Sequence, residues 1–203
     1  MIHPLMHDYA PWLIEPDTTF LNHGSFGACP EPVLRYQQEL RARMEAQPIR
    51  FFCWELPDLA AEARADLAVF LGARPADLAW VPNATAGVNT VLRSLDLSPG
   101  DELLITDHAY GACRNALEFV AHRAGARVVT ARIPFPIEDP EQAVNAVLTA
   151  VTSRTRLALL DHVTSPTALV LPAARMIAAL DHHGVLTLVD GAHAPGMIPL
   201  NLE

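Results

Sequence analysis

Short apolar segments alternate along the chain with longer stretches in which apolar residues recur at every third or fourth position. The short segments predict β-strands at residues 78–81, 102–106, 127–131, 156–160 and 185–189, because buried strands of parallel sheets are apolar throughout. The longer stretches predict amphipathic helices: from Pro30 to Pro48, from Pro57 to Gly72, after Gly87, before Gly125, from Pro140, and from Pro172 to Gly184. The last strand is expected to be buried on both faces.

Helices that alternate with short strands indicate an α/β fold, in which right-handed crossovers build a parallel sheet. Polar residues follow four of the predicted strands, at 83–85, 107–110, 161–165 and 190–193. Open α/β sheets bind their ligands at the carboxyl ends of the strands. We therefore expect these four polar segments to gather at one edge of the sheet.

The strand that ends in Asp190 is followed by Gly191 and His193. A carboxylate at a buried strand end is costly unless it meets a cation or hydrogen-bond donors. The ring nitrogen of pyridoxal phosphate would be such a partner, because an aspartate keeps that nitrogen protonated. The alternative is that Asp190 caps the next turn and that His193 is an ordinary loop residue.

Small residues precede the helix that begins near Gly87, in the segment PNATAG. Such a helix start leaves backbone N–H groups free, and the Thr85 hydroxyl adds a donor, so the segment is suited to a phosphate. The alternative is that Asn83 or Thr85 only caps the helix. After the next strand, His108 and Tyr110 are candidates for stacking on a planar cofactor.

The composition of the 203 residues limits the classes of function. The hydrophobic fraction of 51% is that of a globular protein, and the formal net charge of −9 argues against nucleic-acid or anionic-membrane partners. The N-terminus has no pattern of a signal peptide or membrane span, and the three widely spaced cysteines suit a reducing cytoplasm. We predict a cytoplasmic protein without a metal site. All 14 basic residues are arginine, so no lysine is available for Schiff-base chemistry.

Two N-terminal segments add candidate substrate-binding residues. Residues 1–29 are interrupted by prolines and predict an arm, in which the loop around Asn22 and His23 can bring polar groups close to a ligand. A plain turn is equally consistent with that loop. Arg50 follows the first long helix and is either a clamp for a substrate carboxylate or a surface residue.

Six segments together resemble the isopenicillin N epimerase-like branch of the class V aminotransferases, which are pyridoxal phosphate enzymes of fold type I. The segments are FLNHGSFGACP, RFFCWELPDL, VPNATAGVNTVLRSL, DHAYGACRN, LLDHVTSPT and LVDGAHAPGM. The resemblance implies that residues 30–203 form an incomplete cofactor-binding large domain. It also implies an amino-acid-type substrate and a homodimer of the complete enzyme.

The resemblance assigns roles residue by residue. Ala84 and Thr85 would contact the cofactor phosphate, Asp190 the ring nitrogen, and His193 the region of the phenolic oxygen. His108 would stack on the ring, with Tyr110 the less favoured candidate, and Ser165 stands where related enzymes often place an asparagine. Asn22 and His23 would lie on the substrate side. Ala168 occupies a position where glycine is expected.

The family's Schiff-base lysine follows the Asp-x-x-His segment by some tens of residues and has no counterpart here. We therefore expect the chain to be the N-terminal portion of a longer enzyme, from a fragment, a truncated gene model or a split gene. The resemblance leaves open epimerisation at the α-carbon and C–S cleavage of the cysteine desulfurase kind. A non-catalytic remnant is a further alternative, and a nucleotide-binding module is disfavoured because no glycine-rich phosphate motif follows a strand.

Overall fold

The computed structural model describes residues 12–202, so that part of the predicted arm and residue 203 lie outside the described residues. The chain divides into two compact units, Met1–Leu78 and Ala79–Glu203. The predicted boundary between residues 29 and 30 stays a prediction. Within residues 12–202, no helix combines the length and apolar character needed to cross a bilayer.

The first unit is helical. It contains α1 (His23–Phe26), α2 (Glu31–Ala46), α3 (Pro48–Arg50), a π-helical turn (Phe51–Glu55) and α4 (Leu56–Leu71), followed by a 3₁₀ turn (Pro75–Asp77). Prolines lie at the first turns of α2, α3 and α4, where the missing N–H costs no hydrogen bond. Gly72 ends α4 in the left-handed conformation that glycine adopts without strain. The two long predicted helices are thus confirmed.

The second unit alternates helices and strands. Its elements are α5 (Ala84–Arg93), β1 (Glu102–Thr106), α6 (Gly111–Ala124), β2 (Arg127–Ala131), α7 (Pro140–Thr149), β3 (Thr155–Asp161), α8 (Ala173–Asp181) and β4 (Leu186–Asp190). The four strands form one sheet in the order β2-β1-β3-β4, and every pair is parallel. The predicted α/β fold with a parallel sheet is confirmed.

The sheet carries helices on both faces, and alternate residues of each strand enter two separate cores. Leu103, Ile105, Leu157 and Leu159 pack with α5 and α6, whereas Leu104, Ala158 and Leu160 pack with α7 and α8. Because side chains alternate along a strand, this pattern fixes the face of each strand-end residue. Asp161 follows the set that faces α5 and α6, and Thr106 follows the set that faces α7 and α8.

Two details of the strand prediction are wrong. Residues 78–81 form no strand: Leu78 is extended, but the segment pairs with no strand among the described residues. The strand at 185–189, found as β4, is not buried on both faces, because it lies at the edge of the sheet and Leu186 is 61% exposed.

Candidate active site

Two buried aspartates lie side by side where β3 and β4 end. Asp161 and Asp190 are register partners in the parallel ladder and are 4% and 6% exposed. Leu188, two residues before Asp190, packs in the core that faces α5 and α6, so both carboxyl groups lie on that face. Adjacent parallel strands are about 4.8 Å apart, and the two acids therefore sense each other's charge directly.

Asp190 receives two short hydrogen bonds. The Cys113 Sγ donates to Oδ2 at 3.1 Å, and the backbone N–H of Ala192 donates to Oδ1 at 3.0 Å. Burial, followed by the bond to Asp190, raises the pKa of the Cys113 thiol to about 12. Cys113 is therefore a protonated donor at neutral pH and not a nucleophile.

Asp161 is held less firmly. The N–H of Tyr110 donates to its Oδ1 at 3.4 Å, and the imidazole of His193 lies close enough to act on its charge. Burial and the neighbouring charge of Asp190 outweigh these contacts and raise the pKa of Asp161 to about 6. The structure thus brings His193, which is half-buried, to the Asp161–Asp190 pair.

The start of α5 combines a cap with free donors. The Asn83 side chain accepts the Ala86 N–H at 2.8 Å and therefore caps the helix. The backbone N–H groups of Ala84 and Thr85 have no acceptor among residues 12–202. The Thr85 hydroxyl lies beside the Cys113 thiol, where it opposes the rise in that pKa. One thiol therefore touches both the start of α5 and Asp190.

Neither ring nitrogen of His108 bonds to a residue of this cluster. Its Nε2 lies 3.1 Å from the Ile133 carbonyl, which requires a proton on Nε2, and in the neutral ring Nδ1 then accepts from the Thr167 hydroxyl at 2.8 Å. The residue is 7% exposed. Stacking by His108 stays a prediction, whereas Tyr110 is 46% exposed and adjoins Asp161.

The turn after β3 carries Ser165, which is exposed and makes no hydrogen bond with the two aspartates among residues 12–202. The turn is fixed by the hydroxyl of Thr164, which accepts the Leu169 N–H at 2.9 Å and lies 2.8 Å from the Thr167 hydroxyl. Ala168 has φ of 54°. The predicted role of Ser165 therefore remains a prediction.

The candidate residues of the first unit have local partners. Arg50 pairs with Glu55 at 3.0 Å, which satisfies its guanidinium within its own helical segment. His23 begins α1, and its ring packs against Trp12 and Phe20. The carbonyl of Asn22 accepts the N–H groups of Ser25 and Phe26. Their predicted substrate contacts stay predictions.

The structure adds two residues that the predicted site lacked. Asp161 carried a signal in the sequence, because it stands at a strand end as Asp190 does. Cys113 carried none, since a single cysteine inside a helix usually packs as a small apolar residue. Within residues 12–202, no group of three or more histidine, cysteine or acidic side chains is arranged to hold a metal ion.

These donors and acceptors fit pyridoxal phosphate. The two free N–H groups at the start of α5 suit a phosphate, and the buried carboxylate of Asp190 suits a protonated ring nitrogen. Because Cys113 contacts both Thr85 and Asp190, the two ends of the site open onto one region.

The family model described as aminotransferase class-V matches residues 25–203. The chain belongs to the class V aminotransferase family. Isopenicillin N epimerase of Amycolatopsis lactamdurans is 44% identical over 192 residues, which are 93% of this chain and 48% of that protein. This class V aminotransferase chain therefore spans about half the length of that relative.

Two solved structures of one C–S lyase extend the likeness. The cystine C–S lyase C-DES with its product cysteine persulfide has a TM-score of 0.85 and 27% identity, over 92% of this chain and 50% of that one. A lysine-to-alanine variant of C-DES, with glycine covalently linked to its pyridoxal phosphate cofactor, gives a TM-score of 0.82 at 26% identity, over the same shares of the two chains. Pyridoxal phosphate is thus confirmed as the cofactor at the level of the family.

Proposed function

We propose that this chain is the cofactor-binding portion of a pyridoxal phosphate enzyme that acts at the α-carbon of an amino acid or small peptide, as an isopenicillin N epimerase does. One observation carries the proposal. The Cys113 thiol lies beside the Thr85 hydroxyl at the start of α5 and donates a hydrogen bond to the Asp190 carboxylate, which supports one site for the phosphate and the ring nitrogen. The 44% identity to the epimerase supports the choice of reaction.

Each residue of the cluster has a role in this proposal. The N–H groups of Ala84 and Thr85 bind the phosphate, and the Asp190 carboxylate holds a proton at the ring nitrogen. Tyr110 would stack on the ring, a role for which it is better exposed than His108. When bound, pyridoxal phosphate supplies an electron sink for a carbanion at the substrate α-carbon.

The 203 residues contain no lysine, so no side chain among them can form the Schiff base with the cofactor. We expect borohydride treatment of the chain with pyridoxal phosphate, followed by digestion, to leave no pyridoxyl group on any of its side chains. Bovine serum albumin, which has surface lysines, is the positive control. A pyridoxyl group at one defined side chain of this protein would contradict the assignment.

Cofactor binding itself is tested by equilibrium dialysis with pyridoxal phosphate. We expect Asp190→Asn to weaken binding about tenfold or more, because a charge-assisted contact is worth about 1.5–3 kcal/mol. Asp181→Asn, on the exposed end of α8, is the matched control and should bind as the wild type does. Equal affinities for the wild type and Asp190→Asn would refute the ring-nitrogen assignment.

A C–S lyase is the second candidate, and the TM-score of 0.85 to C-DES favours it. We propose to co-express the chain with the second half of the Amycolatopsis lactamdurans epimerase and to supply isopenicillin N or L-cystine. Epimerised product supports the first candidate, and a persulfide supports the second. A chain that binds no pyridoxal phosphate would instead support the non-catalytic remnant. The homodimer and the cytoplasmic location remain predictions.

A further inference from the structure

Two buried carboxyl groups lie at the ends of β3 and β4, although one would suffice to pair with a ring nitrogen. Asp161 and Asp190 are adjacent in register, on one face, and both are at least nine-tenths buried. Two carboxylates so placed repel each other unless a proton or a cation lies between them.

No arginine offsets this charge. The ion pairs of residues 12–202 include neither Asp161 nor Asp190, and the chain has no lysine. The titratable groups that face the pair are His193 and the thiol of Cys113, which is neutral. The neighbouring backbone donors satisfy Asp190 better than Asp161, since they lie at 3.0 Å and 3.4 Å.

We propose that Asp161 is a positioning residue of the cofactor site, which forms with Asp190 a two-carboxylate seat for one cation, the protonated ring nitrogen of pyridoxal phosphate. Asp190 faces the ring, and Asp161 acts through Asp190 by adding a second negative charge beside it. This inference rests on the proposed function and gives a role to a residue that the sequence pattern had placed only at the polar edge of the sheet.

The seat makes cofactor affinity depend on pH in a defined direction. As the pH falls below the pKa of Asp161, a proton on that carboxyl takes the place of the cation, and Asp161 then resembles an asparagine. Wild type and Asp161→Asn should therefore bind the cofactor alike at acidic pH and differently at alkaline pH, where the wild type alone has the second charge.

The experiment compares two ligands by equilibrium dialysis at pH 5.5 and pH 8. One is pyridoxal phosphate, and the other is its analogue in which CH replaces the ring nitrogen. We expect Asp161→Asn to weaken pyridoxal phosphate binding about tenfold at pH 8, to weaken it less at pH 5.5, and not to weaken binding of the analogue at either pH. Asp181→Asn is the control for loss of a distant negative charge.

A second readout needs no cofactor. In chain labelled with ¹³C at the aspartate carboxyls, the Asp161 resonance should titrate well above an ordinary aspartate, and Asp190→Asn should lower its midpoint. An unchanged midpoint overturns the pairing. If Asp161→Asn weakens binding of both ligands equally, or weakens binding by the same factor at both pH values, the two-carboxylate seat is refuted. A wild type that binds neither ligand refutes the proposed function itself, together with the seat's assignment to the cofactor.

Discussion

Ala168 holds a backbone conformation that favours glycine. Its φ is 54°, and its N–H donates to the Thr164 carbonyl at 2.9 Å, so the turn forms despite the side chain. The resemblance led us to expect glycine at this position, and the left-handed backbone explains why. An alanine in this region costs about 1–2 kcal/mol relative to the usual helical or extended conformations.

We expect Ala168→Gly to raise the free energy of unfolding by about 0.5–1 kcal/mol, since relief of the strain exceeds the added entropy of the unfolded glycine. Chemical denaturation measures the difference. The control is Ala178→Gly in α8, an exposed helical position, which should lower the same quantity by about 1 kcal/mol. Destabilisation by both substitutions would show that position 168 is unstrained.

Asp161 makes stability depend on pH. Its pKa rises on folding from the ordinary 3.8 to about 6, so the folded chain binds the proton more tightly than the unfolded chain. The contribution of Asp161 to stability is therefore greatest below pH 4 and is lost as the pH rises through 6, by a total of about 3 kcal/mol.

Asp161→Asn should remove this loss of folding stability at alkaline pH. We expect the variant to be more stable than the wild type at pH 8 and the gap between them to close as the pH falls from 6 to 4. Urea melts across this range measure the gap, and Asp181→Asn, an exposed acid on α8, should show none. A gap that stays constant from pH 4 to pH 8 would mean that Asp161 does not titrate in this window.

At the scale of elements, a chain of directed hydrogen bonds ties the turn after β3 to the segment after β2. The Ile133 carbonyl accepts from His108, which accepts from Thr167, which in turn accepts from the Thr164 hydroxyl. The Thr164 hydroxyl then accepts from the Leu169 N–H. When the His108 ring is neutral, each side chain between the two ends accepts from one neighbour and donates to the next, because the carbonyl at one end can only accept and the N–H at the other can only donate.

Thr167→Val should break the relay, whereas Thr167→Ser should keep it. We expect the valine variant to lose about 1–2 kcal/mol of stability, because buried His108 keeps an unmatched acceptor, and to exchange the Leu169 amide proton faster. Hydrogen exchange followed by NMR measures the second effect. If valine and serine gave the same protection at Leu169, the hydroxyl would have no part in fixing the turn.

Sequence patterns determined most elements but not their partners. The bounds of β1 and β2 agree with the prediction because apolar runs between turns define them locally. The prediction of a strand at residues 78–81 was wrong because a strand also needs a neighbouring strand to pair with. The contacts of His108 with Thr167 and of Cys113 with Asp190 join residues 59 and 77 positions apart, which no local pattern specifies.

At the scale of the whole molecule, the second unit ends in an unprotected sheet edge. β4 pairs only with β3 among the described strands, and its first residue, Leu186, is 61% exposed. An apolar edge with free backbone groups is a template for pairing with another chain. The place of this edge at β4 follows from the strand order.

We expect Leu186→Lys to reduce concentration-dependent association, because a lysine on an edge strand disfavours pairing. Size-exclusion chromatography with light scattering over a range of concentrations measures it. The matched control is Val69→Lys, which removes an equally apolar residue, 85% exposed, from a helix of the first unit. Equal improvement from both substitutions would indicate general solubility and not edge pairing.

The edge position of β4 also links ligand binding to folding. Asp190 belongs to a strand that the described structure supports from one side only, and the parallel ladder sets it beside Asp161. A bound cation would cancel the repulsion between the two carboxylates at this end of the ladder. It would thereby stabilise the pairing of β4 with β3. Amide protons at the end of β4 should then become markedly slower to exchange when the cofactor is added.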